Sequence, residues 1–217
     1  MRASRKLLTL AAALVCLLAA ASCAGDEPQV HSAQEPSDGT GNSSSRLSPH
    51  VEAPIDPTPF VANPCQLVPE SKLAALGRVN PPEPDVDSNA AKKLLGPGCT
   101  WLAADTGEPT IGIRIHTLQV AHAEEGFEGL EGIYQAKQSG KIDHLQPLQL
   151  AGHPDYPAVV YGQAAEINAG TCAVSVGIAD DLTYSVQTIQ EEDPKNACTI
   201  SQRVAEIALE SMLSGGK

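Results

Sequence analysis

The chain has 217 residues, a formal net charge of −12 at pH 7 and only seven aromatic side chains. This length suits one folded domain, or two at most. The excess of acidic residues argues against binding to the phosphate backbone of nucleic acids, and the few aromatic residues argue against a stacking platform for bases.

The first 22 residues predict a signal peptide. Arg2, Arg5 and Lys6 precede an apolar run over residues 7–21. A helix of this length reaches about 22 Å, whereas the hydrocarbon core of a bilayer is about 30 Å thick. The run is therefore too short for a membrane-spanning helix, and a cleaved signal is the better interpretation.

The apolar run ends in Ala20-Ala21-Ser22-Cys23, which resembles the lipobox of bacterial lipoproteins. In that motif a diacylglycerol is joined to the cysteine thiol, and the chain is then cut just before the cysteine. The small residues predict cleavage there, and the nucleophilic thiol predicts lipidation of Cys23. The alternative is an ordinary signal cleavage with a cysteine nearby by chance. A lipidated Cys23 would hold the protein on the extracytoplasmic side of the cell membrane.

Removal of residues 1–22 makes the protein more acidic. Three basic residues leave with the signal, so 11 basic residues remain against 26 acidic ones, and the net charge becomes −15. Such a surface is repelled by anionic lipid headgroups. The acyl chains, rather than a charged patch, are therefore expected to hold the protein at the membrane.

The remaining chain divides into a tether and a domain. Residues 24–60 contain six Pro and six Ser. A segment of this composition buries too little apolar surface to offset the entropy lost on ordering. We therefore predict that residues 23–60 form a disordered tether that begins at the lipidated cysteine, and that residues 61–217 form a single domain.

The periodicity of the domain predicts an α+β fold. Helices are expected over residues 69–76, 130–138 and 196–213, and strands over residues 99–102, 110–118, 145–150, 158–161, 171–178 and 183–189. The second strand alternates clearly, with Ile111, Ile113 and Ile115 on one face. Short turns between strands predict a mainly antiparallel sheet with helices packed on one face.

Four cysteines remain in the domain: Cys65, Cys99, Cys172 and Cys198. An even number in an exported domain indicates disulfides, and four cysteines allow three pairings. We favour Cys65–Cys99 and Cys172–Cys198, each of which would join a terminal helix to a strand close in sequence. The wide spacing disfavours a zinc site, which usually needs Cys-x₂₋₄-Cys pairs.

The order of these motifs resembles an uncharacterised family of actinobacterial secreted lipoproteins with a four-cysteine domain of unknown function. The resemblance covers residues 61–214 and rests on Asn63-Pro64-Cys65, Leu76-Gly77, Cys99-Thr100-Trp101, Cys172-Ala173-Val174-Ser175-Val176 and the helix that opens with Cys198. It implies an envelope location and disulfides, and it supplies no catalytic residues.

The domain lacks the usual motifs for hydrolysis, phosphate binding and dinucleotide binding. Candidate ligands for a metal ion are Glu124, Glu125, Glu128, Glu131, His116, His122, His144 and His153. Their spacing does not match a known site, so solvated side chains are the simpler interpretation, and we expect no metal and no cofactor. Asp180 and Asp181 are interpreted as turn residues. Trp101 is expected to pack against the Cys65–Cys99 bridge, with a ligand groove as the alternative.

These observations predict a cell-envelope lipoprotein whose domain binds a protein, a lipid or a wall component and is not an enzyme. They predict no nucleic-acid partner. The alternative is an envelope enzyme or metal-binding protein that uses the histidine and glutamate clusters.

Overall fold

A seven-stranded antiparallel sheet organises the part of the chain that the computed structural model describes, residues 46–118 and 128–215. Its strands are β1 (Glu83–Asp85), β2 (Gly98–Trp101), β3 (Thr110–Ile115), β4 (His144–Leu148), β5 (Ala158–Gly162), β6 (Thr171–Ala179) and β7 (Leu182–Ile189). They lie in the order β1-β2-β3-β7-β6-β5-β4, and each neighbouring pair is antiparallel.

One long helix and several short ones accompany the sheet. The α-helices are α1 (Thr58–Val61), α2 (Glu70–Leu73), α3 (Gly129–Gln138), α4 (Ala164–Asn168) and α5 (Pro194–Leu213). A 3₁₀ turn covers Pro64–Leu67, and a π-helical turn covers Ala91–Leu95. The α1 and α2 helices have four residues each, which is too short for a helix to be stable by itself.

The core lies between α5 and the centre of the sheet. Along β3 alternate residues are buried, as the strand period of two requires, whereas residues 174–178 of β6 are all buried because both faces of this central strand are covered. The buried Tyr184 of β7 donates a hydrogen bond of 2.7 Å from its hydroxyl to the carbonyl oxygen of Ala205 in α5. The Ser201 hydroxyl of α5 donates to the carbonyl oxygen of Cys172 at 2.9 Å and lies 2.8 Å from Thr188 Oγ1, from which it can accept. The polar groups in this interface are thus paired, as burial demands.

Two disulfides attach local segments to the sheet. Cys65 of the 3₁₀ turn bonds to Cys99 of β2, and Cys172 of β6 bonds to Cys198 of α5. Both pairings match the sequence-based prediction. The α+β class and the antiparallel sheet are confirmed as well.

The structure differs from the predicted tether over residues 46–60. We call residues 46–57 the strap. The buried Val51 lies in the strap, and its N–H donates to the carboxylate of Asp180 at 3.0 Å. Ile55 N–H donates to the carbonyl oxygen of Ile178 at 2.8 Å. These contacts join residues more than 120 positions apart, so local composition could not indicate them. Residues 1–45 lie outside the described part of the chain.

Two further elements lie within residues 80–97, where the sequence predicted neither a helix nor a strand. Strand β1 contains Pro84, a residue that disfavours strands, but it pairs with β2 as the edge strand, where proline is tolerated. The π-helical turn ends at Gly96, which has φ = 87°. A Cβ at Gly96 would collide with the carbonyl oxygen of Ile115, so glycine is required there.

Replacement of Cys65 and Cys99 together by alanine is expected to lower the free energy of unfolding by about 3.5–4 kcal/mol, because the closed loop restricts the unfolded chain. Urea denaturation followed by circular dichroism measures this loss. The matched control is the Cys172→Ala, Cys198→Ala pair, whose loop is shorter, with a sequence separation of 26 against 34. Its loss should be slightly smaller. A loss below about 1 kcal/mol for the first pair would contradict this account.

Candidate functional site

A cavity of about 500 Å³ lies beside β2, and we call it the Trp101 cavity. It is lined mainly by apolar side chains, which are those of Leu73, Ala74, Val79, Pro81, Pro82, Trp101 and Ala104. Glu70, Arg78 and Asn80 supply its polar groups. This volume falls in the range of small-molecule sites in proteins, about 300–1,000 Å³.

The cavity forms at a gap in backbone pairing. The segment over residues 79–85 pairs with residues 98–103 at both of its ends but not in its middle. Val79 pairs with Ala103, and Asn80 N–H donates to the carbonyl oxygen of Leu102 at 2.8 Å. Pairing resumes only at Glu83, which lies opposite Thr100. The two residues between are prolines, which have no N–H to donate to the ladder. The proline pair therefore interrupts the pairing next to Trp101.

Trp101 is almost completely buried, with 1% of its surface exposed. Its indole Nε1 has no hydrogen-bond partner among the described residues. A buried donor without an acceptor costs about 1–3 kcal/mol. Native structures contain few such groups, and each one calls for an explanation. Trp101 thus belongs to the core cluster that also contains Cys99, and it lines a cavity as well.

Arg78 is the one basic side chain among the described residues that line the cavity, and it is already paired. Arg78 contacts Glu108 Oε1 at 2.9 Å through Nε and Asp105 Oδ2 at 3.1 Å through Nη2. The backbone N–H of Arg78 also donates to Glu108 at 2.8 Å. This backbone hydrogen bond and the guanidinium lower the pKa of Glu108 below its ordinary value. The positive charge of Arg78 is therefore compensated by two carboxylates.

A second, smaller cavity of about 250 Å³ lies over β3, β5 and β7, and we call it the His116 groove. His116 Nε2 lies 2.7 Å from Ser185 Oγ, and both residues line the groove together with Arg114 and Tyr161. The pKa of His116 is about 4, well below its ordinary value. Burial and the positive charge of Arg114 lower this pKa, and a hydrogen bond to the carbonyl of Leu95 offsets part of the decrease. Burial raises the pKa of Tyr161.

Neutral His116 suits these contacts. With Nδ1 protonated, it donates to the Leu95 carbonyl, and Nε2 is free to accept a hydrogen bond from the Ser185 hydroxyl. Arg114 is held away by its own partners, Asp85 at 3.0 Å and the Gly96 carbonyl at 2.6 Å. His116 is the only one of the candidate histidines that the structure places in such a network within the described residues.

The other candidate metal ligands are dispersed. Glu131 accepts hydrogen bonds from the backbone N–H groups of Leu47 and Ser48, each at 2.9 Å, so it holds the strap. Glu128 precedes α3, His144 begins β4, and His153 lies in a turn.

Residues 128–215 and 46–118 contain no cluster of three or more possible metal-ligating side chains. His122, Glu124 and Glu125 lie outside the described residues.

Asp180 has a role that the sequence did not indicate. It lies in the turn between β6 and β7 as predicted, and it also binds the strap. Besides the Val51 N–H, its carboxylate contacts His50 Nδ1 at 2.7 Å and Arg46 Nη1 at 3.2 Å. Burial opposes ionisation, but these partners hold the pKa of Asp180 below its ordinary value. Asp181 shares the turn.

A family model described as "Protein of unknown function (DUF3558)" matches residues 18–211, which is most of the chain. The chain matches no curated protein and no solved structure. Over the described residues, no helix has the length and apolar character needed to cross a bilayer.

Protonation of His116 is expected to destabilise the fold as the pH falls. Its pKa is about 4 when folded and about 6.5 when unfolded, so below pH 6.5 the unfolded chain binds a proton that the folded chain does not. The stability that neutral His116 contributes is complete above pH 6.5 and is lost as the pH falls towards 4, by about 3 kcal/mol in total.

The variant His116→Gln keeps a hydrogen-bonding side chain and removes the titration. Urea denaturation of both proteins from pH 7 to pH 4 checks the prediction, with His144→Gln as the control. As the pH falls from 7 to 4, the free energy of unfolding of wild type should decrease more than that of His116→Gln. A difference that stays constant over this range would contradict the assignment.

Proposed function

This chain belongs to the DUF3558 family of proteins of unknown function, and we propose that it is a cell-envelope lipoprotein that binds an apolar ligand. In this proposal Cys23 carries the lipid, residues 1–22 are removed as a signal peptide, and the domain lies on the extracytoplasmic side of the membrane. The observation that carries the binding function is the Trp101 cavity, which is large, apolar and lined by the one tryptophan of the chain.

Sequence features support the envelope location. The family match begins at residue 18, so Ala20-Ala21-Ser22-Cys23 lies within the matched range. The domain contains two disulfides, and disulfides are typical of oxidising, extracytoplasmic compartments.

We propose a binding domain rather than an enzyme because the best nucleophile–base pair is poorly suited to catalysis. Ser185 lies within β7 and is paired on both sides, opposite Arg114 in β3 and Ser175 in β6. Its backbone amide is thus part of the sheet and is not available to stabilise an oxyanion. His116, with a pKa of about 4, is a weak base at neutral pH. The Ser185–His116 contact is better explained as a paired polar group in the sheet.

Loss of the acceptor thiol should release the protein from the membrane. In the Cys23→Ala variant no diacylglycerol can be attached, and the net charge of −15 of the mature chain does not favour binding to anionic headgroups in its place. We expect most of the protein either to move from the membrane pellet to the supernatant or to keep its signal peptide. Immunoblotting after ultracentrifugation measures the first outcome by fraction and the second by band size. Cys16→Ala is the matched control, since Cys16 lies in the signal and should not affect anchoring. The Cys23→Ala protein could instead lose its signal peptide, remain in the membrane pellet to the same extent as wild type and resist carbonate extraction. That result would contradict lipid anchoring through Cys23.

Filling the Trp101 cavity should weaken ligand binding without affecting the fold. The probe is N-phenyl-1-naphthylamine, a neutral apolar dye that accepts excitation energy from tryptophan. Because the chain has one tryptophan, quenching of Trp101 fluorescence reports dye bound near the cavity. Ala74 is exposed and lines the cavity, so Ala74→Leu places a larger side chain into it.

The matched control is Ala75→Leu, at the next position, which is equally exposed and does not line the cavity. We expect wild type and Ala75→Leu to bind the dye alike and Ala74→Leu to bind it at least about tenfold more weakly, which corresponds to about 1.4 kcal/mol. Absence of quenching in wild type, or equal quenching in all three proteins, would refute the cavity as the binding site.

A further inference from the structure

The unpaired indole N–H of Trp101 distinguishes the Trp101 cavity from an ordinary packing defect. The other lining side chains named above as apolar offer no donor, and the buried Trp101 offers one that no described residue accepts. A cavity built only to accommodate hydrocarbon would need no donor. A ligand with an acceptor atom would remove the cost of about 1–3 kcal/mol that the unpaired N–H imposes.

The charges around the cavity indicate that this acceptor is neutral. Arg78 is already paired with Glu108 and Asp105, and Glu70 adds a further negative charge to the lining. The chain as a whole is strongly acidic. Among the described lining residues, a carboxylate entering the cavity would therefore meet a net negative charge and no cation without a carboxylate partner. A neutral carbonyl carries an acceptor without this penalty.

We propose that the ligand of the Trp101 cavity is an alkyl chain bearing a neutral ester or amide carbonyl, whose oxygen accepts a hydrogen bond from Trp101 Nε1. This inference rests on the proposed binding function. The alkyl part lies against Leu73, Val79 and the proline pair, which form the apolar wall. Nε1 is shielded from solvent, so the proposed hydrogen bond requires lining side chains to move aside when the ligand enters.

The edge of the cavity consists of short elements that can move at a low free-energy cost. The Leu73 wall belongs to the four-residue helix α2, and Pro81 and Pro82 connect a single bridge at Val79 to the three-residue edge strand β1. Short elements with few backbone hydrogen bonds open at a lower free-energy cost than the centre of a sheet. Trp101 itself pairs with Ile111 of β3, so the donor stays in place while its cover shifts.

Methyl octanoate is the test ligand, and octanoate is its anionic counterpart of similar length. The single tryptophan gives one indole Nε1–H resonance in a ¹H–¹⁵N spectrum of wild type, so the hydrogen bond can be observed directly. We expect methyl octanoate to shift this resonance downfield and to displace N-phenyl-1-naphthylamine. Octanoate should bind at least about tenfold more weakly.

The variant Trp101→Phe keeps an aromatic ring and removes the donor. We expect its affinity for methyl octanoate to fall about tenfold further than its affinity for the dye, which has no carbonyl. Dye binding is followed here by the fluorescence of the dye itself, because this variant has no tryptophan. Thermal denaturation checks that the variant is folded. If it is not, the indole resonance of wild type decides by itself.

The outcomes separate the two proposals. If the dye binds to wild type but methyl octanoate leaves the indole resonance unmoved, the carbonyl assignment is overturned and the binding cavity stands. If methyl octanoate and octanoate bind equally, the requirement for a neutral carbonyl is overturned. If neither the dye nor the ester binds to wild type, the proposed function itself is refuted.

Discussion

The Cys65–Cys99 disulfide is the contact on which the cavity depends. Cys99 and Trp101 are two positions apart in β2, so their side chains lie on the same face of the sheet. The bridge therefore holds the 3₁₀ turn next to Trp101, and the chain continues from that turn into α2 after only two residues. Leu73 and Ala74 reach the cavity because the disulfide fixes the start of this short segment. Neither four residues of helix nor one 3₁₀ turn would hold that position unaided.

The domain thus has two parts that are stabilised differently. Around β6, β7 and α5, regular pairing and buried hydrogen bonds such as Tyr184 to Ala205 hold the structure together. Around β1, β2 and α2, short elements are attached by a disulfide and by exposed ion pairs such as Arg78–Asp105, which contribute little. A rigid sheet bordered by a loosely built edge is a suitable arrangement for ligand entry.

The sequence predicted the features that depend on local periodicity and on cysteine chemistry. The alternation of Ile111, Ile113 and Ile115, the amphipathic α5 and both disulfide pairings follow from patterns within short stretches. The strap and the His116 groove depend instead on contacts between distant segments.

His116 meets Ser185 only because β7 lies next to β3, an adjacency that sequence order does not reveal. The Trp101 cavity arises from the interrupted pairing at Pro81 and Pro82. Prolines at those positions signal an irregularity, but the space beside them requires the fold.

The unpaired indole N–H of Trp101 is the structural feature most directly related to the proposed function. A phenylalanine at position 101 would fill much of the same space beside the disulfide and would leave no buried donor unpaired. Tryptophan at this position therefore carries a cost in the ligand-free protein of about 1–3 kcal/mol. Local departures of this kind from complete pairing are expected at functional sites, where a bound molecule completes the structure. In the Trp101 cavity the incomplete group is a donor, its surroundings are apolar, and the nearby cation is already paired. Together these three properties are the basis on which we propose an apolar ligand with a neutral acceptor.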